Sequence, residues 1–454
     1  MFSEGKNYKV NDLKPIKVKK IKPAYRLSNH KLIIRPKKKA WLGLSLAILV
    51  VFVLCALVYN SFFFRVLALA YSLKGQNILI GFQNSAELRP TGGFWGSFGI
   101  LKVKDKITNS ELVFETNPYK KDNPLLLKSS EALPKPMSET YPGRNQSFVN
   151  ANWQVDFPKT AKDLEWFLSE GWGEQVNGTI AISSLAIIDL LKETGPIKVD
   201  DIEVTSENFT QIMSEKIDKE YWQNPDNKVI NEPKTILKDL SPILLKKAKS
   251  LGYYRLYKFS LFQAKQGRIL AFFSNQRQEK LVKKIGISGE NKSYNLDYLQ
   301  VSNANLNGGK SSLNVTQSIN YEVKKSETKP LAKLTITRKL NDNWPNILNR
   351  NYTRVFVPLG SEILSANIDG KDITESTDIS QEEALTCFGT WFSVSPGDQS
   401  VLTYEYFLPF DNENLKKYNL IYQKQPGTLA DELKITLGGG ELFNSVFKQT
   451  FKEF

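Results

Sequence analysis

The hydrophobic pattern of the chain begins with a run unlike anything after it. No charged side chain occurs between Lys39 and Arg65, and residues 41–59 are almost wholly apolar. About 20 such residues wound as a helix cross the roughly 30 Å hydrocarbon core of a bilayer. The pattern therefore predicts a transmembrane helix over 41–64. Trp41 and Tyr59 stand where interfacial aromatics stand, and Phe62-Phe63-Phe64 extends the run. A cleaved signal peptide would have an apolar stretch of only about 7–15 residues ending in small side chains, whereas large aromatics occupy that place here.

Beyond the run, strand and helix periods alternate. Residues 77–82 read as a buried strand and 84–93 as a polar turn. Residues 94–103 read as a second strand, with Gly93, Gly96 and Gly99 at every third position. The stretch 117–143, rich in Pro, Ser, Lys and Asn, reads as a long surface loop. Residues 160–170 put Ala161, Leu164, Phe167 and Leu168 on one helical face, and a helix over 185–193 stops at Gly195-Pro196. A strand over 197–204, helices from 209 to about 221 and over 233–250, a strand over 268–273 and a helix over 276–284 follow. This alternation predicts an α/β domain with a mixed sheet over 75–305. From 297 the period changes to two, in segments 313–323, 332–338, 353–358, 362–368, 390–394 and 400–407. Turns at Asp369-Gly370 and Pro396-Gly397 separate some of them, and 420–427 and 433–437 offer further strands. That predicts an all-β sandwich over 306–454, separable from the first domain.

Charge changes the picture in one place. The net charge is +14, but residues 1–40 hold thirteen Lys or Arg against Glu4 and Asp12 and so carry +11 of it. The basicity belongs to a tail, and no nucleic-acid partner is expected of the folded part. Arg35, Lys37, Lys38 and Lys39 precede the apolar run, whereas only Arg65 and Lys74 follow closely. The positive-inside rule then puts the tail in the cytoplasm and everything after about residue 65 outside. The only histidine is His30, in the tail, and the two cysteines are Cys55, in the apolar run, and Cys387. Beyond the run, a Ser-His-Asp triad, a histidine general base, a Cys/His zinc cluster and an internal disulfide are all excluded.

The polar turn between the first two strands carries an amide, a carboxylate and a guanidinium: Asn84, Glu87 and Arg89, followed by Gly92-Gly93-Phe94. These residues match in order the signature Asn-x-x-Glu-x-Arg-x-x-Gly-Gly-Phe, and the segment resembles the bacterial family catalogued as domain of unknown function 4012. Ala151-Asn152-Trp153 and Asp156-Phe157-Pro158 match a second family segment, although Val149 and Asn150 stand where Arg-Asp is usual. A third, 176–183, resembles a family strand with Asn177 and Ser183 in place of carboxylates. Asn84, Glu87, Arg89, Asn152 and Asp156 are the candidate binding residues.

Two functions are open at this level. The first is a membrane-anchored, outside-facing cell-envelope protein that binds a glycan, an anionic ligand or a protein partner. The second rests on the order of elements, which is similar to the LytR-CpsA-Psr enzymes that move glycopolymers from a polyprenyl pyrophosphate to the cell wall. That likeness implies arginines on pyrophosphate, with Arg89 and Arg144 available, and Mg²⁺ held by Glu87 or Asp156. It requires Arg89, Glu87 and Asp156 to converge on one basic pocket. In either case Arg89 is expected to find Glu87, Asn84 or Asp156 as partner and to face a cleft.

Overall fold

The computed structural model describes residues 61–115, 132–199, 201–216 and 235–454. The tail and the transmembrane expectation up to residue 60 lie outside the described residues, as does the first part of the long loop. Among the described residues no helix is long and apolar enough to cross a membrane. Phe62-Phe63-Phe64 does not prolong an earlier helix. Ser61 is extended, its hydroxyl accepts from the Phe64 amide, and a new helix starts there, Phe62–Ser72. This helix belongs to the folded unit, with Leu69 buried and Arg65 donating to the Lys284 carbonyl at 2.6 Å.

The first sheet is built from β1 (Asn77–Asn84), β2 (Phe94–Val103), β3 (Ser110–Glu115) and β4 (Gly178–Ser183). A small hairpin, β5 (Ile197–Val199) and β6 (Ile202–Val204), stands apart, and β7 (Ile269–Phe273) closes the edge. The order is β3-β2-β1-β4-β7, with β1 and β4 parallel and the other pairs antiparallel. Alternate residues of each strand serve opposite faces. Leu79, Phe98, Ala181 and Leu270 point to helix Phe157–Trp172, while Ile78, Ile80, Ala271 and Phe273 point to helices Phe62–Ser72, Gly252–Lys265 and Gln276–Ile285. The result is three layers with a mixed sheet in the middle. Gly81 is a glycine because Trp95 of the adjacent strand lies across it, and a Cβ there would sit 1.8 Å from the ring. The expected single strand over 197–204 is instead the β5–β6 hairpin, whose Ile197, Val199 and Val204 pack with helices Phe209–Ser214 and Thr235–Ser250. Helix Gly252–Lys265 had no counterpart in the sequence reading, because tyrosines and lysines on its exposed side hide its period.

The second part is a two-sheet sandwich of β8 (Asp297–Asn305), β9 (Val315–Lys324), β10 (Leu331–Leu340), β11 (Asn351–Pro358), β12 (Glu362–Ile368), β13 (Lys371–Asp372), β14 (Asp378–Glu382), β15 (Leu385–Trp391), β16 (Gln399–Phe407), β17 (Leu420–Lys424), β18 (Asp431–Leu437), β19 (Gly440–Phe447) and β20 (Phe451–Glu453). One sheet runs β13-β12-β16-β10-β9-β18-β19 and the other β14-β15-β11-β8-β17-β20. Between them lies a core that includes Leu299, Val301, Tyr321, Leu334, Val355, Phe388, Leu402 and Tyr422. A boundary at 306 falls just after β8, which sits between β11 and β17.

β8 and β11 are buried on both faces, which is why neither alternates in exposure. Their outer face is covered by Leu133, Met137, Trp153 and Val155 of the first part. Residues 132–143, read from the sequence as surface loop, thus include a short helix, Lys135–Thr140, packed on the sandwich.

One half-buried carboxyl of the first part sets a pH dependence. Glu165, on helix Phe157–Trp172, accepts from the Thr179 hydroxyl of β4 at 2.7 Å, and burial pushes it up to about 7 although that bond and Lys162 act in the other direction. In the unfolded chain such a group ionises near 4.5. The unfolded state therefore releases its proton first, and stability present below pH 4.5 is lost as pH rises through about 7. Glu165→Gln should gain roughly 1–3 kcal/mol over the native chain in urea denaturation at pH 8, and much less at pH 4, once solvent screening is allowed for. Asp297, pushed by burial up to about 6, titrates in the same direction and remains in the variant. An equal difference at both pH values contradicts the assignment.

Candidate functional site

The signature turn lies between the two parts, and its polar groups serve both. Asn84 ends β1, and its side-chain oxygen accepts from the Ala86 amide at 3.2 Å while its carbonyl accepts from the Glu87 amide. The Leu88 carbonyl accepts from the Asn305 amide at 2.9 Å and the Ala86 carbonyl from the Ser312 amide at 3.0 Å, so backbone groups of the sandwich bond directly to the turn. Gln425 donates to the carbonyls of Arg89 and Asn303 at 3.0 and 2.8 Å. Gly92 and Gly427 meet backbone to backbone, both at positive φ, and a Cβ on Gly427 would collide with the Gly92 carbonyl.

Arg89 is 4% exposed. Its guanidinium donates to the carbonyls of Leu88 and Asn305 and lies over the Phe94 ring at 5.4 Å. Neither Glu87 nor Asp156 is its partner. Backbone carbonyls of both parts take that place, so the expected carboxylate pair is replaced and the group faces the junction. Glu87 pairs instead with Lys310 of the sandwich at 2.7 Å, both largely buried.

Asn152 is a brace. Fully buried, it accepts from the Thr91 hydroxyl at 2.6 Å and donates to the Gly93 carbonyl at 2.6 Å, so it spans the turn. Asp156 is the N-cap of helix Phe157–Trp172, with its carboxylate accepting from the Lys159 amide and from the Asn291 amide at 2.9 Å. Ser183, where the family usually has a carboxylate, caps the next helix, Ser184–Thr194, through the Leu185 amide and meets the Ser85 hydroxyl at 2.8 Å. Asn177 accepts from the Asn77 amide at 3.0 Å and so ties the starts of β4 and β1 together. The structure brings Asn84, Glu87, Arg89 and Asn152 around one turn and places Asp156 at a helix end with different partners.

Open space lies beside the turn. A cleft of about 400 Å³ is bounded by helix Ser184–Thr194 (Leu185, Ile188, Asp189, Lys192), by Glu207 and Gln211, by Arg268, and by Lys310, Asn314, Asn343 and Trp344 of the sandwich. It opens where the parallel strands β1 and β4 end, the place where open α/β sheets receive ligands. Arg268 precedes β7 and pairs with Asp189, which also accepts from Gln263 at 3.1 Å and lies 3.7 Å from Lys192. Asn314 donates to the Trp344 carbonyl at 2.5 Å and fixes the loop that carries the indole. Lys310, steered by Glu87, links this cleft to the signature turn. Asp189, Lys192, Arg268 and Trp344 were not identified from sequence. The one local signal was a carboxylate, Asp189, interrupting the apolar run Leu185-Ala-Ile-Ile and Leu190-Leu191.

The fold and the junction define a two-part protein: a three-layer α/β unit locked to a sandwich, with a polar cleft where they meet. Residues 74–217 match the family model described as "Protein of unknown function (DUF4012)", the family that the motifs of this segment resemble. A search of curated proteins found no match. Among solved structures, a "putative nutrient binding protein" from Legionella pneumophila aligns at 8% identity and a TM-score of 0.20 over 27% of this chain, which spans 50% of that one. Protein gbs0355 from Streptococcus agalactiae aligns at 14% identity and a TM-score of 0.30, over 48% of this chain and 75% of the other. Neither likeness bears on fold or chemistry here.

Arg89 joins the two parts through carbonyls that would lose a charged donor in its absence. Arg89→Ala should therefore lower stability by about 2–4 kcal/mol in chemical denaturation. Arg89→Lys should recover less than half, since an ammonium cannot reproduce the fork. An alanine variant as stable as the native chain contradicts this role.

Proposed function

We propose that the chain is a membrane-anchored, outside-facing protein of a bacterial envelope whose junction cleft binds an anionic, hydroxyl-rich glycan. The observation that carries this reading is the composition of the cleft: Lys192, Arg268 and Lys310 share it with Asp189, Glu207, the amides of Gln211, Asn314 and Asn343, and Trp344. Cations attract acidic groups on a polymer, planar amides and carboxylates suit paired hydroxyls, and an indole offers an apolar face to a sugar ring. The basic block before the apolar run supports the orientation. The transfer reading asks for Arg89, Glu87 and Asp156 around one pocket. Their separate partners, two carbonyls, a lysine and a helix end, favour binding over transfer.

The test is a titration of the full chain, held in lipid nanodiscs, with acidic cell-wall glycan fragments, their neutral counterparts and inorganic pyrophosphate. The acidic fragments should bind best. Lys192, whose side chain is 60% exposed, can be changed with little strain. Lys192→Glu should weaken binding about tenfold, the equivalent of about 1.4 kcal/mol, at an unchanged melting temperature. Equal binding by native chain and variant places the ligand elsewhere, and preference for pyrophosphate favours the transfer reading.

A further inference from the structure

The first turns of helices Phe62–Ser72 and Gly252–Lys265 expose more aromatic surface than a water-facing surface normally carries in one place. Tyr253 is 94% exposed, Tyr254 67%, Phe63 43% and Phe64 41%. They are not scattered. Phe63 stacks edge-on against Phe64 at 5.4 Å, and Phe62 and Phe63 both meet Tyr257 at about 6 Å, which joins the two helices. Lys258 lies over the Tyr254 ring at 4.6 Å, and Lys249 is exposed just ahead of the second helix. Tyrosine, phenylalanine and lysine together are the composition of a membrane-water boundary, where rings sit among headgroups and ammonium groups reach phosphates.

The position of this face along the chain selects its occupant. Phe63 follows Tyr59, the last residue of the apolar run, by four positions. Four residues reach at most about 14 Å even fully extended. The headgroup layer beyond each edge of the hydrocarbon core is itself roughly 5–8 Å deep. A tether that short keeps Phe63 within reach of the headgroup layer whenever the apolar run is inserted.

We infer that the face formed by Phe63, Phe64, Tyr253 and Tyr254, flanked by Lys249 and Lys258, rests in the headgroup boundary of the same bilayer that holds the apolar run. This sets the α/β unit against the membrane instead of leaving it on a free stalk. The inference rests on the anchored reading of the chain.

The experiment uses the full chain in phosphatidylcholine–phosphatidylglycerol vesicles. Cys55→Ser leaves buried Cys387 as the one native thiol, and Tyr253→Cys carries a bimane label. Lys371→Cys, on the edge strand of the sandwich, is the control position. Lipids bearing a headgroup nitroxide should quench the label at 253 at least threefold more strongly than at 371, and Tyr254→Cys should repeat the result. Equal quenching at 253 and 371, in a chain that still floats with the vesicles, overturns the proposal and leaves the anchor standing. A chain that does not float overturns both. If the unlabelled Tyr253→Cys chain forms a disulfide-linked dimer and its labelled form is not quenched, the face belongs to a second copy, which also overturns the proposal.

Discussion

The structure depends on a polar turn that cannot stand alone. Between β1 and β2 the chain buries Ser85, Arg89 and Thr91 where water does not reach. Each buried polar group left without a partner would cost on the order of 1–3 kcal/mol. Some partners lie within the hairpin, Gln83 for Thr91 and the carbonyls of Gly92 and Leu88 for Ser85 and Arg89, and the rest come from outside it. Asn305 and Gln425 of the sandwich meet the carbonyls of Leu88 and Arg89, the Asn305 carbonyl takes the Arg89 guanidinium, and Asn152 braces Thr91 and Gly93. The turn is thus complete only when both parts are folded and in place. The same constraint positions Lys310, through Glu87, at the rim of the cleft.

This explains why the signature was legible and its meaning was not. Its residues stood out because a carboxylate and a guanidinium between two apolar strands require partners, and that much follows from the sequence. Which partners they take depends on contacts more than two hundred residues away in the chain, such as Arg89 with Asn305 and Glu87 with Lys310. No local pattern encodes those. The fold class fared better, since β1 reads as a short apolar strand and helix Phe157–Trp172 shows the 3.6 period of one buried face. Where elements were missed, packing had blurred the period. Helix Gly252–Lys265 exposes aromatics, and the segment 132–143 buries Leu133 and Met137 against a sheet that appears only after residue 297.

The departures from the family pattern fit this structural reading. Ser183 caps a helix and meets Ser85, and Asn177 ties two strand starts together. A neutral side chain does each task. Under the proposed binding function, ligand chemistry belongs to the neighbouring cleft, where Asp189, Lys192 and Arg268 form a charged network.

The central claim is that the turn locks the α/β unit and the sandwich into one cooperative body. Differential scanning calorimetry of the full chain in detergent tests it most directly. A body locked in this way unfolds in one transition whose calorimetric and van't Hoff enthalpies agree. Two resolved transitions in the native chain, one for each part, would contradict it.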